Sequence, residues 1–184
     1  MNEHEQQLQQ WIATDPLRMR AILAVTQVMQ MFKQNDYLIA AGFVRNLVWD
    51  KLHGQSCTKL TDIDVIYFNP ADIDKQRDNE IEQALCLIEP SLPWSVKNQA
   101  RMHVKHGDQP YNNCVDAMRY WPEQETAIGV RLINEQICVY SAFGINTLFE
   151  LQLTHNRNRN KNTFLQRVKQ KKWQQVYPKL LICC

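Results

Sequence analysis

Two short stretches carry residues whose types and spacing suit chemistry. Ala40-Ala41-Gly42-Phe43-Val44-Arg45-Asn46 reads as a strand end, a glycine turn and a helix start. Thr61-Asp62-Ile63-Asp64-Val65-Ile66-Tyr67-Phe68 reads as a strand with two carboxylates one residue apart. A glycine turn at a helix N-terminus presents N–H groups that hold phosphate. Residues i and i+2 of a strand share a face, about 7 Å apart. Two carboxylates placed so repel each other unless a cation lies between them, and Mg²⁺ takes one or two carboxylates plus substrate phosphates. The pair of motifs therefore describes a site for a metal–nucleotide complex: Asp62 and Asp64 as metal ligands and catalytic carboxylates, with Mg²⁺ or Mn²⁺ as the ion. Gly42 and the amides of Phe43, Val44 and Arg45 are the expected phosphate cradle. The Arg45 side chain can add a charged contact. The alternative is an exposed acidic pair and an ordinary turn, against which the apolar run Val65–Phe68 argues.

Elements in the right order must position these residues. Residues 4–13 and 16–34 read as N-terminal helices, the second capped by Asp15 with Pro16 at its first turn. Tyr37–Ala41 reads as a buried strand, 43–53 as a helix closed by Gly54, and 62–68 as the second strand. A helix over about 72–88 leads to a possible strand at 94–97. Residues 113–120 read as a helix. Strands at 126–132 and 136–140 are joined by a turn at Asn134-Glu135, and helices close the chain at 145–152 and 162–173. Strands alternating with helices give an α/β (α+β) domain with a mixed sheet flanked by helices. The expected division is N-terminal helices over 1–34, a catalytic core over 35–140 and basic C-terminal helices over 141–184, in one domain.

Composition narrows the class. The 184 residues are 45% hydrophobic and 22% charged, ordinary for a globular chain. No apolar run is long enough to cross a bilayer, and the polar N-terminus does not read as a signal peptide; a cytoplasmic location is expected. Six cysteines at wide spacings, none in a C-x-x-C pair, suggest reduced thiols rather than zinc ligands. His103 and His106 are spaced for a shared helix face, but no acid accompanies them. The formal charge of +2 conceals an asymmetry: all 19 acids precede residue 151, and eight of the 21 cations follow it. Such a basic tail reads as an intramolecular clamp, a surface for phosphates, or a solvated helix face.

At Ala41-Gly42-Phe43-Val44-Arg45-Asn46 … Asp62-Ile63-Asp64 the chain resembles the DNA polymerase beta-type nucleotidyltransferases. It is similar to the head of tRNA nucleotidyltransferases, where Gly-Gly-x-Val-Arg-Asp precedes Asp-x-Asp. It is more similar still to a family of small bacterial nucleotidyltransferase-like proteins, formerly a domain of unknown function. That likeness extends through Trp49-Asp50, Lys97–His103, Glu125–Leu132, Phe143-Gly144 and Lys172-Trp173, over about residues 15–180. The resemblance implies a polymerase-beta-like nucleotidyltransferase core, an NTP as partner, and transfer of a nucleoside monophosphate to an acceptor that it does not name. It also implies a third carboxylate on a neighbouring strand. Lys97 stands where that acid is first sought, which leaves Asp116, with Glu125 behind it. Lys97 and Arg101 are candidate ligands of a triphosphate or acceptor phosphate; Trp94 and Trp121 are candidate base-stacking residues. Ala41 and Asn46 depart from the tRNA-enzyme pattern, which admits an inactive nucleotide-binding or regulatory protein on the same fold. An RNA-binding protein working through the basic tail ranks third.

Overall fold

A computed structural model describes residues 2–184. Helix α1 (Glu3–Ala13) is capped by the Asn2 side chain, and α2 (Pro16–Met31) by Asp15, whose carboxylate accepts from the N–H groups of Leu17 and Arg18. Strand β1 (Tyr37–Ala40) is buried throughout and runs straight into α3 (Gly42–His53). Gly54 ends α3 at φ 65°, a left-handed conformation that glycine adopts without steric penalty. Strand β2 (Ile63–Tyr67) crosses through α4 (Lys75–Ile88) to β3 (Trp94–Asn98). Two short helical pieces follow, α5 (Met102–His106) after a 3₁₀ turn at Gln99–Arg101, and α6 (Cys114–Met118). Strands β4 (Ile128–Ile133) and β5 (Gln136–Ser141) form a hairpin. Its turn residues Asn134 and Glu135 have φ of 47° and 63°, the double positive φ of a two-residue hairpin turn.

The five strands lie in the order β3-β2-β1-β4-β5. β2 and β3 are parallel because a helix returns the chain between them; the other pairs are antiparallel. Alternation along β2 decides the faces. Ile63, Val65 and Tyr67 join the large core built with α1, α2, α3 and α4. Ile66 points the other way, with Leu38 and Ala40, under Cys114 and Met118 of α6. Gly129 faces Ala40 in register, and a Cβ there would come within 2.9 Å of the Leu38 Cβ, so only glycine lets β4 approach β1 this closely.

The C-terminal third departs from the sequence reading. The helix expected over 145–152 is only α7 (Asn146–Phe149). Leu151 then takes a positive φ, and Gln152–Thr154 forms β6, paired in parallel with β7 (Leu181–Cys183). Neither three-residue strand has a periodic signature; each exists because its partner lies far along the chain. The helix expected over 162–173 divides into α8 (Lys161–Lys171) and α9 (Trp173–Val176) at Lys172, φ 51°. The break turns Trp173 into the core while α8 keeps its lysines in solvent. Residues 99–103 are the 3₁₀ turn and the start of α5. The six cysteines are free thiols.

Candidate active site

The glycine turn is tighter than its sequence suggests. Ala41, not Gly42, holds the unusual backbone, at φ 57° and ψ −125°. That is close to the mirror image of the first central position of a type II turn, a region natural to glycine. The strain turns the Ala41 carbonyl back into α3, where it accepts from the N–H groups of Val44 at 3.2 Å and Arg45 at 2.9 Å. These two amides, expected among the phosphate donors, are therefore engaged internally. The N–H groups of Gly42 and Phe43 have no protein acceptor among the described residues. A Cβ at Gly42 would stand 3.5 Å from Asn46 Nδ2, which places that amide beside the turn as a third donor.

Arg45 works from beneath. It is only 6% exposed, with its guanidinium 5.0 Å from the Trp49 ring centre and 4.6 Å from that of Trp173. Its Nη1 donates to Thr126 Oγ1 at 2.6 Å and its Nη2 to Asn46 Oδ1 at 3.0 Å. The second bond orients Asn46 so that Nδ2 faces the turn. Burial pulls the guanidinium below its ordinary pKa, opposed by the charges of Glu123, Tyr177 and Asp62. Arg45 thus fixes the cradle rather than reaching out from it. Arg18, which the sequence reading did not single out, does similar work: its Nε donates to the Phe43 carbonyl at 3.0 Å, tying the start of α3 to α2.

Asp64 pairs in register with Ala40, directly before the turn. Asp62 lies one step earlier on the same side and is exposed. The two carboxylates and the two free amides therefore meet at one corner of the sheet. Across β2, Ser95 is the register partner of Asp64, and Lys97 that of Ile66. The Lys97 Nζ lies 3.4 Å from Asp64 Oδ1 and donates to Ser95 Oγ at 2.9 Å.

Other candidates stand elsewhere. Arg101 is not a free phosphate ligand: both its terminal nitrogens are on the buried carboxylate of Asp78, which also accepts from Tyr67 Oη at 2.8 Å and Asn98 N at 3.1 Å. Asp116 is not at the corner. Its carboxylate accepts from the Asn112 backbone and side chain, and it lines a cavity of about 470 Å³ with Asp36 and Arg131, at the far end of β1. Glu125 is buried and accepts from Thr154 N at 2.7 Å; burial pushes its carboxyl above the ordinary range. Neither acid supplies the third carboxylate, and no group of three metal-ligating side chains forms among the described residues. Trp94 is a core residue whose indole donates to the Glu89 carbonyl at 3.0 Å. In the basic tail, Arg167 pairs with fully buried Glu123 at 2.6 Å and Arg159 with Asp108 at 2.5 Å, as a clamp would. Arg157, Lys161, Lys169, Lys171 and Lys172 remain exposed.

Two unpaired amides at a helix start, beside two carboxylates at one corner of a mixed sheet, are the arrangement expected of the nucleotidyl-transfer class. A family model described as nucleotidyltransferase matches residues 27–182, and the chain belongs to that family. Among solved structures, one reported to reveal a CCA-adding enzyme head domain superposes with a TM-score of 0.80 at 28% identity, covering 96% of this chain and 94% of that one. A CCA-adding enzyme solved in complex with CTP gives 0.59 at 15% identity, over 92% of this chain but only 41% of that one. The second likeness concerns the fold alone. No curated protein matches in sequence. The protein is a nucleotidyltransferase with the polymerase-beta-type head fold.

Proposed function

We propose that the protein transfers a nucleoside monophosphate from an NTP to an acceptor hydroxyl or phosphate, releasing pyrophosphate, with Mg²⁺ or Mn²⁺ as cofactor. The observation that carries the reading is the convergence of Asp62, Asp64 and the free amides of Gly42 and Phe43 on one corner of the sheet. The donor set is all hard oxygen, which suits Mg²⁺ completed by substrate phosphates. Asp62 and Asp64 would hold the ion, which when bound neutralises charge on the triphosphate and polarises the bond to the leaving group. The Gly42 and Phe43 N–H groups and Asn46 Nδ2 would bind the β- and γ-phosphates, with the positive end of α3 behind them. Arg45 and Arg18 keep those donors aimed, so little reorganisation accompanies charge transfer to pyrophosphate.

The regulatory reading has one observation in its favour: an ammonium, not a third carboxylate, stands beside Asp64. It predicts NTP binding without turnover. The deciding experiment supplies each α-labelled NTP, CTP first, with Mg²⁺ or Mn²⁺ and a pool of small molecules and RNA. Label transfer and pyrophosphate release that vanish in Asp62→Asn support the enzyme. NTP binding with no transfer, or transfer that survives Asp62→Asn, overturns the assignment of these residues.

A further inference from the structure

The outer face continues past the carboxylates. Ser95 and Lys97 lie along β3, and Gln99, in the 3₁₀ turn that follows it, lines a cavity of about 290 Å³. His106, Tyr111, Trp121, Asn158 and Thr163 line much of the remainder. Trp121 is shared: it also packs against the apolar cluster that includes Ala40 and Ile66, the neighbours of Asp64. Gln99, next in the chain after β3, and Trp121, packed against that apolar cluster, are thus the lining residues that connect this cavity to the sheet bearing Asp64.

Its frame is fixed. Arg159 donates through Nη1 to Asp108 at 2.8 Å and lies 5.3 Å over the Tyr120 ring, while Tyr120 stacks on Tyr111 at 5.1 Å. Asn156 Nδ2 bonds the carbonyls of Arg119, at 2.6 Å, and Trp121, at 2.7 Å. These bonds span the space between α5, α6 and the start of α8 and hold the walls apart. Other polar groups of the lining residues are less engaged. The Trp121 indole N–H, the Gln99 Oε1, the Thr163 hydroxyl and the His106 ring have no protein partner among the described residues.

We propose that this cavity is the acceptor subsite and receives a neutral, nucleobase-sized heterocycle whose attached sugar brings the attacking hydroxyl to Asp64. The inference rests on the nucleotidyl-transfer reading of the corner. Three arguments lead to it. In-line displacement puts the attacking oxygen opposite the leaving pyrophosphate. The amides of Gly42 and Phe43 take the pyrophosphate on the β1 side, so the acceptor enters from the β3 side, where Lys97 and Gln99 lead into the cavity. The aromatic walls offer a stacking surface, and the indole N–H, amide oxygen and hydroxyl offer donors and an acceptor for a ring edge. The one guanidinium in the wall is already neutralised by Asp108, so the interior favours a neutral ring over a phosphate. Exposed Lys105, Arg157 and Lys161 each adjoin a lining residue in sequence and are the candidate contacts for an attached phosphate. The transfer itself is balanced: the hydroxyl oxygen bonds the α-phosphorus, the α–β bridging bond breaks, and the hydroxyl proton passes to solvent.

The test titrates the full chain, without NTP or metal, with adenosine, cytidine, guanosine and uridine, and separately with short oligonucleotides ending in each. The readout is the ¹H–¹⁵N signal of the Trp121 indole, assigned by Trp121→Phe. A perturbed Trp121 signal, with at least about ten-fold weaker binding in Thr163→Arg, is expected; position 163 is exposed, so the variant folds. Nucleosides that bind alone identify a free nucleoside or nucleotide as acceptor. Binding only of oligonucleotides, falling steeply with salt, identifies an RNA end. The proposal is overturned if neither probe perturbs Trp121, or if Thr163→Arg binds both as the wild type does. Because NTP binding is measured separately through Gly42 and Phe43 amide signals, loss of that binding would count against the corner and not against the cavity.

Discussion

Replacing Ala41 by glycine should leave the protein at least as stable, although Ala→Gly ordinarily destabilises. At φ 57° and ψ −125° an alanine carries strain of about 1–3 kcal/mol. Glycine removes it. Against that stand the buried methyl, worth about 0.8 kcal/mol at a residue 7% exposed, and the freer unfolded chain, about 0.4–1 kcal/mol. With mid-range values the balance is a gain of about 0.5 kcal/mol, whereas an unstrained buried alanine would lose about 1.5 kcal/mol. Urea denaturation separates the two. With a slope of about 2 kcal/mol per molar, the midpoint moves up by about 0.25 M or down by about 0.75 M. Ala41→Val is the opposing control, because a β-branched residue at this φ is strongly disfavoured. A fall of about 0.75 M for Ala41→Gly at unchanged slope would refute the strained turn.

Three further outcomes are expected. Asp64→Asn should lower turnover at least about 100-fold. It should also alter stability by less than about 1 kcal/mol, since its partner Lys97 is 48% exposed; thermal melts and label transfer give both numbers. Arg101→Met should destabilise by about 2–3 kcal/mol, because Asp78 keeps a buried charge without its cation, while the KM for NTP stays the same; a raised KM in the folded variant would restore Arg101 as a phosphate ligand. Glu125→Gln should stabilise at alkaline pH. Burial raises the folded-state pKa of Glu125, so the native form holds its proton to higher pH than the unfolded chain does. The wild type loses stability as pH rises above the unfolded carboxylate value, and glutamine does not. The gain should therefore grow with pH and disappear below about pH 4 in parallel melts; a pH-independent difference would contradict it.

Much of the placement of the candidate site's residues was legible because its signals are local. Asp62 and Asp64 face one way, and Ile63 and Val65 the other, because strand geometry has a period of two. Ala41-Gly42 turns into α3 because strand, turn and apolar helix face are adjacent in sequence. Asp15-Pro16 and Gly54 mark helix ends through contacts within a turn of themselves. The residues misassigned from sequence were those whose roles depend on distant partners. Arg101 looked free because Asp78 lies 23 residues away, and Asp116 looked available because nothing local shows which end of the sheet α6 covers. Arg45 looked like an arm because Trp173 and Thr126, which enclose it, are remote in sequence.

The sequence by itself determined which residue types stand at the corner and the order of the elements that carry them, since residue type, turn propensity and periodicity are properties of contiguous chain. Only the tertiary structure decided that Ala41 bears the strain, that Lys97 rather than a third acid stands beside Asp64, and that Gln99, Trp121 and Thr163 enclose one cavity. Those facts arise when segments tens of residues apart bury shared surface, and in a single sequence no local pattern encodes which segments will meet.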